Sequence, residues 1–185
     1  MFLTVLSFEG CGGIRFSEVA PEARNFHPQS IAVLSLDVGG SNDAMVVDGI
    51  IAREIKDRHS FNTVISLEEY QNVIREKEEL RKASEEYIDK LRHLDYIDPE
   101  LSKKIGIIAG VDAFLLVTVD YWYYTKEADK NIAKVGLGMM MINARTGSLI
   151  WKARHHMAVD YVLIKPVLSN IAGDVVKQMI DNMPQ

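Results

Sequence analysis

With 185 residues, 48% of them hydrophobic and 25% charged, the chain has the makeup of one globular domain and not of a disordered segment. A domain of this length buries roughly 70% of its unfolded surface, so it folds without needing a metal or a disulfide. The formal net charge of -5, with Lys and Arg scattered along the chain, excludes a nucleic-acid groove, which needs a clustered basic surface.

The first stretch is a short apolar run, Phe2–Phe8, followed by Glu9-Gly10-Cys11-Gly12-Gly13. An apolar run ending in a small residue and then cysteine resembles the bacterial lipoprotein signal, in which the cysteine becomes the lipidated first residue of the mature protein. Gly10 and Cys11 match that pattern, while Phe8 and Glu9 depart from it and no Lys or Arg precedes the run. The resemblance implies a signal-like segment over 1–10 and a lipid anchor on Cys11; attachment to the outer membrane facing the periplasm is implied by the family resemblance given below. The alternative is a frayed apolar strand with a free thiol, which would leave the protein cytoplasmic. Cys11 is the single cysteine, so it has no internal disulfide partner. No other stretch reaches the ~18 apolar residues that span a bilayer as a helix, so attachment would be by lipid alone.

Residues 11–30 contain Pro21 and Pro28 without sustained periodicity, the pattern of a tether. A single α/β domain is then expected over 31–185. Ile31–Leu36 reads as a strand buried on both faces. A helix follows, with Val47, Ile50, Ile51 and Ile55 facing inward and Asp48, Arg53, Lys56 and Asp57 outward. Asn62–Ile65 makes a second short strand. Ser66 and Glu69 form a capping box for a helix buried through Leu67, Tyr70 and Ile74. Arg75–Arg92 reads as one solvated helix whose narrow apolar seam, Leu80, Ala83, Tyr87 and Leu91, packs on its own domain or on a partner.

Asp98-Pro99 starts another helix that stops at Gly110 and is buried through Ile105, Ile108 and Ala109. Ala113–Tyr124 is a long strand apolar on both faces, joined by the charged Lys126–Lys130 link to a hairpin. The hairpin strands lie within Val135–His156 around the turn Asn143-Ala144-Arg145-Thr146-Gly147. Its first strand is apolar on both faces and so belongs inside the sheet. Gly136 and Gly138 leave room on one face for a bulky neighbour. Leu168, Ile171, Ala172, Val175, Val176, Met179 and Ile180 mark a final amphipathic helix with Pro166 in its first turn. The order implies an α/β sandwich of two or three layers, with early parallel crossovers and a late antiparallel hairpin at the sheet's edge.

Few residues suggest chemistry. Asp37, Gly39, Gly40 and Ser41 sit in a Gly-rich loop between strand and helix, the setting that cradles phosphates. The loop resembles the phosphate loop of the hexokinase and actin-like ATP-binding superfamily, which implies a small nucleotide-binding enzyme as an alternative function. That superfamily follows the loop with a strand, whereas helical periodicity follows here. His155 and His156 are adjacent on a strand and face opposite sides, so they cannot share a metal. Asp112 and Asp120 flank the long strand as a cap and an edge residue. Neither a metal site nor a cofactor is expected.

Three segments together carry a further resemblance: Ile31–Leu36, the lead-in Gly110-Val111-Asp112-Ala113, and Val135–Trp151 with Thr146-Gly147. They resemble the curli-secretion (CsgG-like) lipoprotein family and the related N-terminal domain of the TolB translocation protein, with Asn143 standing where Asp is usual. The resemblance spans roughly Ile31 to Met183. It implies a non-enzymatic module that binds envelope proteins, and further copies of itself, in envelope assembly or secretion. A secretion-channel subunit is the other reading within that family. It fits less well, because each transmembrane strand needs ~9–11 residues of lipid-facing alternation, and Thr125–Lys134 is short and charged.

Overall fold

The computed structural model describes residues 14–37 and 41–184. A six-stranded mixed sheet, in the order β1-β6-β5-β4-β2-β3, lies between two helical layers. The strands are β1 (Phe16–Val19), β2 (Ser30–Asp37), β3 (Thr63–Ile65), β4 (Ala113–Glu127), β5 (Lys130–Asn143) and β6 (Leu149–Tyr161). The helices are α1 (Ser41–Asp57), α2 (Leu67–Glu76), α3 (Glu78–Leu94), α4 (Pro99–Ala109) and α5 (Leu168–Asp181), with a 3-10 turn at Pro21–Asn25. β2 runs parallel to both β3 and β4, while β4, β5, β6 and β1 alternate antiparallel. The α/β class is therefore as expected, in its three-layer form.

Two apolar cores fill the layers. On one face Val135, Leu137, Met139 and Met141 of β5 pack with Ile51 and Ile55 of α1 and Val175, Val176 and Met179 of α5. On the other, Ile142 and Met140 join Phe114 and Leu116 of β4 beneath Leu80, Tyr87 and Ile105 of α3 and α4. The rings of Tyr87 and Phe114 meet edge to face at 5.4 Å, a geometry that adds about 1 kcal/mol to simple burial. The α3 seam thus packs on its own domain. Arg58, just past α1, donates to the Ile180 carbonyl at 2.8 Å and pairs with Asp181, closing the exposed end of α5.

Local signals work as expected at two starts and one stop. Ser66 accepts from the Glu69 amide while Glu69 accepts from the Ser66 amide, completing the capping box. Asp98 accepts from the Glu100 and Leu101 amides, and Gly110 ends α4 in the left-handed region at φ 72°.

Six features differ from the sequence reading. The expected tether is partly folded: Phe16–Val19 pairs with β6, placing Val19 opposite Trp151, and Trp151 Nε1 donates to Ser17 Oγ. β1 consequently covers β6, so the hairpin is interior and the sheet's edges are β1 and β3. The charged link Lys126–Lys130 is the tip of a β4–β5 hairpin, with Ala128 and Asp129 both at positive φ, the backbone of a two-residue turn. The charged helix breaks at Lys77, whose extended backbone separates α2 from α3, and α5 starts at Leu168, two residues after Pro166. Lastly, Asp48 is buried, not solvent-facing, and its carboxylate accepts from the Leu67 amide at 2.7 Å. Burial pushes its pKa up, and bonds from the Leu67 and Glu68 amides pull it back.

Asp48 therefore satisfies the first amides of α2 from a different helix. Asp48→Ala strands a buried amide and is expected to lower the stability by about 1–3 kcal/mol in urea unfolding. Ser66→Ala removes an exposed cap and should cost about 1 kcal/mol.

Candidate functional site

Of the residues singled out in the sequence, Cys11, Gly39 and Gly40 lie outside the described residues. Asp37 ends β2 and Ser41 begins α1, so the chain does pass from strand to helix around the Gly-rich segment. The helix that follows departs from the ATP-binding superfamily, as its periodicity indicates. Among the described residues no group of three His, Cys, Asp or Glu side chains is placed to hold a metal ion.

The family-like turn and the lead-in to β4 meet at one end of the sheet. Asn143 Oδ1 accepts from the Arg145 and Thr146 amides, at 2.9 and 3.3 Å, folding the turn on its own side chain. Gly147, at φ 72°, lies so close to Pro99 that a Cβ there would sit 2.7 Å from its Cα. Gly106 of α4 approaches Ala144 as closely. The Thr-Gly turn is thus a seat for α4. Beside it, Asp112 accepts from the Gln29 and Ser30 amides and from the Ser30 hydroxyl, tying β2 to β4. Asp120 lies at the bulge of β4 and pairs with Arg154 at 3.6 Å. The two aspartates act apart, one as a clasp and one as a surface ion pair.

The two histidines point to opposite faces, as alternation requires. His155 is buried toward the α5 side, with neither ring nitrogen hydrogen-bonded. His156 lies on the other face, edge-on to Tyr121 at 5.8 Å. Burial lowers the pKa of both, and positive neighbours add to it, His156 and Arg15 at His155 and Arg15 and Lys134 at His156, while the Gln178 side chain beside His155 and Asp120 near His156 work the other way.

On the His156 face the second core ends at Leu116, Met140 and Leu149. Beyond it Tyr121, Tyr123, Lys134, Arg154 and His156 carry the sheet surface. Lys134 sits 4.5 Å over the Tyr121 ring, and Tyr121 meets Tyr123 edge-on at 6.0 Å. The space reserved by the glycines is filled here. A Cβ on Gly136 would lie 2.5 Å from Tyr121 Cδ2, and one on Gly138 would lie 2.5 Å from Thr118 Oγ1. Tyr123 and Arg154 are exposed. This aromatic and cationic face suits a protein partner, since Tyr and Arg dominate binding energy at interfaces. Sequence reading missed it because the bulge in β4 decides which side chains share the face.

No family model and no curated protein matches the chain. Solved structures do share its fold. The PelC dodecamer from Paraburkholderia phytofirmans aligns with TM-score 0.56 and 12% identity, over 91% of this chain and 95% of that one. A leucine-to-methionine variant of that dodecamer aligns at 0.53 and 11% identity, over 85% and 89%. Lipoprotein GNA1162 from Neisseria meningitidis aligns at 0.52 and 16% identity, over 84% of this chain and all of that one. The likeness covers 84–91% of this chain and is one of fold.

The buried histidine has a measurable consequence. Its folded pKa lies below the ordinary value of about 6.5, so the unfolded chain binds more protons as pH falls through that value. Stability contributed by neutral His155 is complete above about pH 6.5 and declines below it. Thermal unfolding should show a melting temperature that drops between pH 7.5 and 5, with a shallower drop in His155→Leu.

Proposed function

We propose that the protein is an outer-membrane lipoprotein facing the periplasm, self-associating, and acting without catalysis as a binding module in envelope assembly or secretion. The observation that carries this reading is the fold likeness, over 84% and 91% of this chain, to a lipoprotein and to a dodecamer. The signal-like run ending at Gly10-Cys11 supports the lipid anchor, and no described helix is long and apolar enough to cross a membrane. The aromatic and cationic sheet face supports the binding role, with envelope proteins and further copies of the chain as its partners.

An accessory role is favoured over that of a channel subunit. Glu78–Leu94 is a helix packed on the second core, and the described strands belong to a single sheet carrying helices on both faces. A channel would need further lipid-facing strands of ~9–11 residues.

Mass spectrometry of the native N-terminus should find the mature chain beginning at an acylated Cys11; an unprocessed, unmodified cysteine sinks the anchor. Mass photometry should find an assembly several times the 20.8 kDa chain, and a monomer at micromolar concentration removes self-association. ATP with Mg²⁺ should leave the melting temperature unchanged, because a ligand that binds only the folded state raises it. A rise would restore the nucleotide reading of Asp37, Gly39, Gly40 and Ser41.

A further inference from the structure

β1 is lightly held. Its residues Phe16–Val19 pair with Arg154–Trp151 of β6, and all four side chains are exposed. Beyond that ladder it is fixed by Trp151 Nε1, which donates to Ser17 Oγ at 3.1 Å, and by the Ala20 amide, which donates to the Ile150 carbonyl at 2.9 Å. A short strand with no buried side chain belongs to the part of a fold that opens locally at little cost. Its position still matters. Among the described residues it is the one strand paired along the outer edge of β6, at Trp151–Arg154.

A buried histidine lies where β1 begins. His155 follows Arg154 on β6 and is only 4% exposed, and neither Nδ1 nor Nε2 has a hydrogen-bond partner. Its surroundings are unequal. On the β1 side Arg15, exposed and immediately before Phe16, lies near enough to act on both His155 and His156. On the α5 side the facing group is the neutral Gln178, whose Oε1 is also buried without a partner and whose Nε2 is 3.8 Å from Met157 Sδ. The charged residues of that helix, Asp174, Lys177 and Asp181, are exposed, and Lys177 pairs with Asp181. β5 sets the apolar Leu137 opposite His155. On β6 itself Arg154 and His156 point to the other face, where Asp120 pairs with Arg154 and Lys134 acts on His156.

A proton on His155 therefore sits between an acceptor and a like charge. Gln178 Oε1 can accept the new N–H, so α5 gains a contact, whereas Arg15 is repelled and passes that repulsion to the first residue of β1. We propose that β1 is an acid-released cover: protonation of His155 drives Arg15 and Phe16–Val19 off β6 and bares the backbone edge of Trp151–Arg154. A bared edge of this kind presents unpaired N–H and C=O groups, the template on which an added strand pairs. The direction in pH follows from burial. Closed, His155 is held below the ordinary value of about 6.5 by burial and by its positive neighbours, and release relieves both. The open form thus binds the proton more tightly, so the cover is closed at pH 7.5 and opens as pH falls below about 6.5.

The test is hydrogen exchange of the full chain, read by mass spectrometry at pH 7.5 and 5.0 and corrected for the intrinsic pH dependence of exchange. Peptides covering 15–19 and 151–154 should lose protection at pH 5.0, by up to about tenfold per pH unit, the limit for one proton taken up on opening. α5 should keep its protection. His155→Leu should abolish the acid response. Arg15 is exposed, so its substitutions leave the packing alone: Arg15→Gln should weaken the response, and Arg15→Glu should reverse it, because protonated His155 then attracts β1. The inference is overturned if β1 and the β6 edge are equally protected at both pH values, or if α5 loses protection together with them. It is also overturned if the Arg15 substitutions leave the acid response as it was.

Discussion

The backbone of β5 lies between two strands, with helices over one face along its length and over the other from Met140 onward, so its amides and carbonyls look to neighbouring strands and not to water. They are satisfied only by the ladders to β4 and β6, and each missing bond would leave a buried polar group at a cost of about 1–3 kcal/mol. Val135, Leu137, Met139 and Met141 need α1 and α5 above them, and Met140 and Ile142 need α3 and α4 below. The two-sided demand explains the layer order. It also explains why the family-like turn after Asn143 is packed so closely on Pro99 and Gly106: a loosened α4 would open the second core over β5.

The same strand creates the asymmetry between the two faces. α1 and α5 follow β5 along the first core, whereas the helical cover over the second stops near Met140. There the sequence changes to Gly138 and Gly136, and the rings and hydroxyls of β4 close directly over the strand backbone. Tyr121 and Thr118 substitute for a missing helix. The surface that results is aromatic and cationic instead of apolar.

The two ends of the sheet also differ in kind. One is closed by polar clasps, Asp112 on Ser30 and Asn143 on its own turn, which satisfy backbone amides. The other gathers the β4–β5 turn, the tyrosines around Tyr124 and the apolar loop after β6. One end is thus polar throughout, while the other sets a charged turn beside an apolar loop.

The sequence by itself determined what acts over three or four residues or repeats along one element. The Ser66 capping box, the Asp98 and Gly110 ends of α4, the α5 stripe and the two-sided character of β5 are of this type, because their partners lie a turn away or their burial recurs with the element's own period. Only the tertiary structure decided the rest. Asp48 looks solvent-facing by period, yet the first amides of α2 reach it from another helix. Phe16–Val19 is too short to show a period, and its strand exists only because β6 offers an unpaired edge. The helix-free face depends on a bulge in β4, and the bareness of Val162–Ile164 depends on a loop base pinned by Tyr124. A linear pattern records a residue's polarity, but what lies opposite it is set by chain that folds back from far away.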